Sequence, residues 1–273
     1  MNAQALASPA LIASSPARAP AEWSTVAVLW KRELKRVVRQ RSRLVGALGQ
    51  PLIFWVVIGG GFAGTFRLPG SGVGYLEYFF PGVVAMVVLF TSIFGAMSLI
   101  EDRREGFLQA VLAGPGSRTS VALGKILGGA TVAFLQAAAF ALLAPLSGFT
   151  LARIAWLPLF AILALSSVGL AALGFALAWI VESTQGYHAV VSLLLVPLWV
   201  VSGAMFPATG PVLSSLMRAD PVAYAVDGVR FALYGLAAPS SATLGVSFAA
   251  DLAVTAAFAL GATVLAALVC RRR

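Results

Sequence analysis

Long apolar runs separated by short polar segments set the organisation of this chain. About 20 mainly apolar residues in a helix cross the hydrocarbon core of a bilayer, and six stretches reach that length: 44–66, 79–100, 121–145, 157–181, 187–206 and 248–270. Pro51 and Gly59-Gly60-Gly61 interrupt the first. Ahead of it, Trp23, Val26, Trp30, Leu34, Val37 and Val38 recur near the helical period, while Lys31, Arg32, Lys35, Arg36 and Arg39 fill much of the remainder. That pattern predicts an amphipathic helix over 23–43 lying in the headgroup layer, with Trp at the interface and cations toward anionic lipid. A basic flank that only sets topology is the plainer alternative. Residues 1–22, rich in Ala, Ser and Pro, read as a disordered tail. No basic segment precedes an apolar run there, so the first span is expected to direct the chain to the membrane.

Composition agrees with the pattern. Hydrophobic residues make up 60% and charged residues only 11%, where a soluble domain carries about 25% charged. The expected fold is an all-α integral membrane protein, with a six-span domain over 44–273. Of the 19 basic residues, only Arg67, Arg153, Arg218 and Arg230 fall on one side of the expected membrane. The rest cluster before the first span, around the loop after the second, and at Arg271–Arg273. By the bias of Lys and Arg toward the cytoplasm, both termini and that loop are expected inside a cell (inner) membrane. The net charge of +9 does not point to nucleic acid, because no soluble module is large enough to present a basic face.

Little in the chain suits chemistry within the membrane. Lys125 and Glu182 fall at span ends, and Asp251 lies one turn into the last span, near its outer interface. His188 has no second His or Cys with metal-ligand spacing, and reads as structural or interfacial. Cys270 is the only cysteine, which excludes an internal disulfide and reads as a small apolar residue. No span carries the paired carboxylates of an ion relay. Lysines occur only at 31, 35 and 125, and Ile126 follows Lys125, so there is no phosphate loop. Any pumping requires power from a partner.

The second span ends in five consecutive charges, Glu101, Asp102, Arg103, Arg104 and Glu105. After them Phe107 and Val111, and Leu108 and Leu112, pair at i, i+4, the stripe of a short amphipathic helix. The acids would sit at its N-terminal end, favoured by the helix dipole. Gly114-Pro115-Gly116 would stop it. Two readings remain open on physics alone: a solvated turn that halts the span, or a compact foot able to pass a partner's motion into the membrane.

This segment, with Ser117-Arg118 and then Gly124-Lys125, resembles the cytoplasmic coupling segment of type-2 ATP-binding-cassette (ABC) export permeases. The likeness rests on Arg104, Glu105, Gly106, Leu108, Leu112, Pro115, Ser117, Arg118, Gly124 and Lys125. Gln109 stands where that family often has Glu, and Gly116 where an aliphatic residue is usual. Between the fifth and sixth spans, Asp220-Pro221-Val-Ala-Tyr224-Ala-Val-Asp227-Gly-Val-Arg230 is similar to the family's Asn-Pro-x-x-Tyr-x-x-Glu/Asp-x-x-Arg. Physically, Pro221 suits the first turn of a helix that Asp220 would cap.

The resemblance implies a permease subunit of an exporter, paired as a homodimer, with no cofactor of its own. ATP and magnesium would sit on a separate ABC ATP-binding subunit. Residues 101–118 would be the coupling helix, and Asp220, Pro221, Tyr224, Asp227 and Arg230 would belong to short re-entrant helices forming an outer gate. The cargo would be amphiphilic, as in multidrug efflux or the export of a lipid or lipid-linked glycan. Gly60-x-x-x-Gly64 and Gly124-x-x-x-Gly128 would allow close helix contact. A polytopic membrane enzyme and a non-transporting scaffold are the rival classes.

Overall fold

The computed structural model describes residues 18–64, 72–114, 116–207 and 210–272. Among them the regular elements are all helical. Helix α1 (Arg18–Arg39) is followed by α2 (Arg41–Phe54), which continues through a π-helical turn (Trp55–Gly59) into the stub α3 (Gly60–Phe62). Then come α4 (Tyr75–Gly95), α5 (Met97–Arg104), α6 (Phe107–Leu112) and α7 (Arg118–Ala141). The chain closes with α8 (Trp156–Ile180), α9 (Thr184–Val201), α10 (Pro211–Ala219), α11 (Pro221–Leu233) and α12 (Phe248–Arg272).

Among the described residues five helices are long and apolar enough to cross a membrane: Tyr75–Arg104, Arg118–Ala141, Trp156–Ile180, Thr184–Val201 and Phe248–Arg271. The stretch expected as the first span holds the shorter apolar helix Gly46–Phe62. Pro51 lies inside it, and the π turn ends at Gly59, so its ladder is interrupted twice. Several boundaries move from their expected places. The second span begins at Tyr75 and, after a one-residue break at Ala96, runs to Arg104. At 1.5 Å per residue this 30-residue unit is about 45 Å long, so its basic end projects beyond a hydrocarbon core of about 30 Å. The third span begins earlier, at Arg118, and ends at Ala141, before the 3-10 turn Ala144–Ser147. The fifth begins at Thr184, where the Ser183 hydroxyl accepts the Gly186 N–H at 3.0 Å.

The amphipathic helix is also displaced. It ends at Arg39, where non-helical Gln40 separates it from α2. The expected tail lies outside the described residues up to residue 17, and 18–22 are already helical.

Helices α4, α7 and α8 form the centre, α12 lies along α8, and α11 is wedged among α4, α8 and α12. Helix α1 runs along α7, whereas α2 and α9 occupy the margin beside α4. Two large buried polar side chains here find backbone partners, as an apolar surrounding favours. The Tyr187 hydroxyl donates to the Ile93 carbonyl at 2.8 Å, and Trp199 Nε1 donates to the Gly82 carbonyl at 2.8 Å. One end of the bundle gathers α1, α5, α6 and the terminus of α12, whose Cys270 Sγ donates to the Arg118 carbonyl. This is the basic end. The other end holds α10, α11 and the loops around Gly203 and Ala242.

Candidate functional site

The five-charge segment at the basic end divides between two environments. Asp102 has no exposed surface. Arg32 donates to both of its carboxylate oxygens, at 2.7 and 2.8 Å, and Arg36 reaches Oδ1 at 3.3 Å. Lys125 pairs with Asp102 Oδ2 and also donates to Glu33 at 2.5 Å and to Ser98 Oγ at 3.3 Å. Arg36 pairs with Glu101. Three acids and three bases from α1, α5 and α7 therefore balance in one junction. A buried carboxylate is tolerated only when its neighbours supply matching charge and hydrogen bonds.

Arg103 turns another way. Its guanidinium donates to the Trp179 carbonyl at 3.0 Å and lies 5.6 Å from the Trp179 ring. It thereby serves the last turn of α8, where a cation complements the free carbonyls. Arg104 and Glu105 are exposed; Arg104 makes one long contact, 3.4 Å, to Thr184 Oγ1.

The dipole argument for the acids does not hold. Glu101 and Asp102 lie in the last part of α5, and the amphipathic helix α6 begins only at Phe107. Gly106, at φ 76°, makes the left-handed turn between them, a conformation costly for any residue with a Cβ. Acids near a helix C-terminus oppose its dipole; here the cations of α1 and α7 offset that.

In α6, Leu108 is buried, Phe107 and Leu112 are half-buried, and Gln109 and Ala110 face outward. The Arg32 guanidinium lies 3.7 Å over the Phe107 ring, tying the foot to α1. Pro115 lies outside the described residues. Ser117 caps α7 by accepting the Ser120 N–H at 3.2 Å. The Arg118 side chain is exposed while its carbonyl anchors Cys270.

Helix α1 is thus more than a lipid-facing amphipathic element. Lys31 and Lys35 are exposed, as is Trp23, but Arg32 and Arg36 are committed to carboxylates rather than free for lipid. Trp30 Nε1 donates to Thr131 Oγ1 on α7 at 3.0 Å. Sequence reasoning passed over Glu33 and placed Lys125 at a span end and in the coupling-segment match, without a charge partner. The available signal was Glu33's position on the apolar stripe of Val26, Trp30 and Val37, where an acid needs a partner.

At the opposite end, Asp220 does cap α11, accepting the Val222 N–H at 2.8 Å. Tyr224 donates to the Arg218 carbonyl at 2.9 Å. Asp227 accepts the Leu244 N–H at 3.0 Å, and Arg230 donates to the Ala242 and Gly203 carbonyls at 2.6 and 3.2 Å. Arg230 also lies over the Tyr78 ring, 4.6 Å from its centre. Asp227 and Arg230 are buried, so their immediate work is to hold two loops to α11. Asp251, expected near an interface, is fully buried beside this knot, while His188 is exposed and packs on Phe94. Burial pushes the Asp220 carboxyl up to about 7, against the opposing effect of the Val222 N–H. No group of three or more His, Cys, Asp or Glu among the described residues is placed to hold a metal.

The described residues thus give a helical multi-pass membrane chain whose exposed foot is braced on a neutral charge junction. The chain belongs to the ABC-2 type transporter family, whose model matches residues 24–234. Membership makes it a transport permease subunit rather than an enzyme. It is 27% identical over 212 residues to a putative transport permease, ycf38, of Cyanophora paradoxa, covering 75% of this chain and 72% of that one. It is 26% identical over 223 residues to Nodulation protein J of Neorhizobium galegae, covering 77% and 82%. Nodulation protein J of Rhizobium meliloti (strain 1021) is 27% identical over 222 residues, covering 78% and 82%.

Proposed function

We propose that this chain is the membrane subunit of an inner-membrane exporter, with both termini cytoplasmic. Two copies form the path, and a separate ABC ATP-binding subunit drives each. ATP and magnesium belong to that partner. The observation that carries this reading is the mounting of α6. Arg104, Glu105, Gln109 and Ala110 face outward, while Asp102, one turn away, is clamped between α1 and α7. A push on such a foot is not absorbed locally, because the junction beneath it ties three helices by charge-assisted bonds. Closure of the ATP-binding subunits would then tilt α1, α5 and α7 as one unit and open an outward route. The apolar outer faces favour an amphiphilic cargo: a drug-like molecule, a lipid or a lipid-linked glycan.

The test is the exposed pair alone. Arg104→Ala combined with Glu105→Ala should leave the chain folded and monodisperse. It should lower ATP-driven transport in vesicles at least tenfold while the partner still hydrolyses ATP. Undiminished transport would remove the foot from the mechanism.

A further inference from the structure

Beside the junction lies a cavity of about 230 Å³, walled by α1, α2, α4 and α7. The export reading leaves it without a role. Its body is apolar, lined by Met86, Phe90, Phe94 and Val132. One uncharged polar pair faces into this lining: Thr91 Oγ1 donates to Gln136 Oε1 at 2.7 Å, a bond that does not use the amide N–H donors of Gln136. The only carboxylate in the wall, Glu33, is already paired with Lys125. The cavity therefore offers hydrocarbon contact and a neutral hydrogen-bond donor, with no unbalanced charge to attract an ion.

Its depth follows from helix geometry. Gly95 lies about 10 Å along the helix from Asp102 and Met86 about 24 Å from it, so the cavity reaches from the headgroup border into the leaflet at the basic end. Gly46 and Gln50 of α2 are exposed at its margin, so it opens sideways toward lipid. An ideal Cβ on Gly46 at the margin, or on Gly95 in the wall, would meet no heavy atom within 4 Å, so both positions have room for a side chain. A largely apolar cavity favours an apolar ligand over water.

We infer that this cavity binds one hydrocarbon chain of a membrane amphiphile, with an uncharged acceptor such as an ester or amide carbonyl meeting Gln136. Two sources share that chemistry, a resident phospholipid and the exported amphiphile. Only the choice between them rests on the export reading.

The probe is palmitic acid methyl ester carrying a photoreactive diazirine in its chain, added to the full chain in phosphatidylcholine nanodiscs. Adducts are expected on peptides containing Met86–Phe94 and Val132–Gln136. Gly46→Leu and Gly95→Leu each fill the cavity from open space and replace a helical glycine, so folding should persist, as checked by an unchanged melting temperature. Each should cut adduct yield at those peptides at least fivefold and leave adducts on the outer face of α12 unchanged. Gln136→Leu should weaken capture of the ester probe but not of its hydrocarbon analogue. Adducts spread evenly over all lipid-facing helices, and indifferent to Gly95→Leu, would overturn the inference.

In the complex with the ATP-binding subunit, exported cargo in the cavity predicts that the probe raises ATP hydrolysis at least twofold and that Gly95→Leu abolishes the rise. A resident lipid predicts the same adducts with no change in hydrolysis. Crosslinking needs no ATPase, so its failure and the failure of the export reading are separate results.

Discussion

Asp102 sits without exposed surface among cations delivered by two other helices. Replacing it with Asn would leave Arg32 and Lys125 short of their common partner, and breaking a buried pair from one side costs about 3–5 kcal/mol. Asp102→Asn should therefore lower the melting temperature of the purified chain sharply, whereas Arg104→Ala, on an exposed residue, should fall within about 0.5 kcal/mol of the parent. Adding Lys125→Met to Asp102→Asn should recover part of the loss; strict additivity would show that the two are not coupled. A second residue-scale prediction concerns Asp220. Burial holds its folded pKa at about 7, above the ordinary carboxylate value of 3.8, so the folded chain holds an extra proton between those values. The associated stability is complete below pH 4 and is lost as pH rises toward 7. Asp220→Asn keeps an acceptor for the Val222 N–H and removes the charge. The variant should melt higher than the parent at pH 8, with a shallower fall between pH 5 and 8; parallel curves would refute the assignment. Asp227, also raised by burial, keeps some slope in both. The cap was legible in the sequence because Asp-Pro carries a local signal. The junction was not, because the acids and bases that pair there lie up to 92 residues apart.

Two Gly-x-x-x-Gly motifs look alike as sequence and differ as structure. At Gly124 a Cβ would sit 2.9 Å from Leu29 Cβ and 3.0 Å from the Val26 carbonyl oxygen; at Gly128 it would sit 2.6 Å from Glu33 Cβ. These two glycines let α1 lie close enough to α7 for Lys125 to reach Glu33. Gly60 and Gly64 meet nothing within 4 Å. Accordingly, Gly124→Leu should expose α1 to proteolysis and weaken the junction, while Gly60→Ala should leave the isolated fold unchanged or slightly firmer through its better helix propensity. Limited proteolysis with mass readout compares them directly, and equal protection of α1 in both variants would contradict the packing role. Periodicity located the helices well because apolar runs are local. It misplaced the start of α6, since the Gly106 turn interrupts a pattern that otherwise reads straight through from Glu101.

Across the whole molecule, α9 is the element that joins the two ends. Near its start, Arg103 and Arg104 of the foot reach Trp179 and Thr184; beyond its end, Gly203 accepts from Tyr78 and Arg230. It lies beside α2, with Phe54 and Trp199 at a ring separation of 6.1 Å, and Leu193, Val196, Ile53 and Val57 leave the pair with a broad apolar outer face. The centre of the bundle is packed by α4, α7 and α8, so under the proposed export by two copies a route for an amphiphile would run at a face they share rather than within one. The α2–α9 face satisfies both demands, because it is unpaired within the chain and is linked to the foot. In a Cys270→Ser background, Leu193→Cys should form a disulfide between two copies in the membrane, at a rate that changes when the ATP-binding subunit is loaded with ATP. Leu260→Cys, on the exposed side of α12, should remain monomeric under the same oxidation. Equal crosslinking at both positions would place the pairing elsewhere, and a Leu193→Cys rate indifferent to ATP would separate α9 from the motion of the foot.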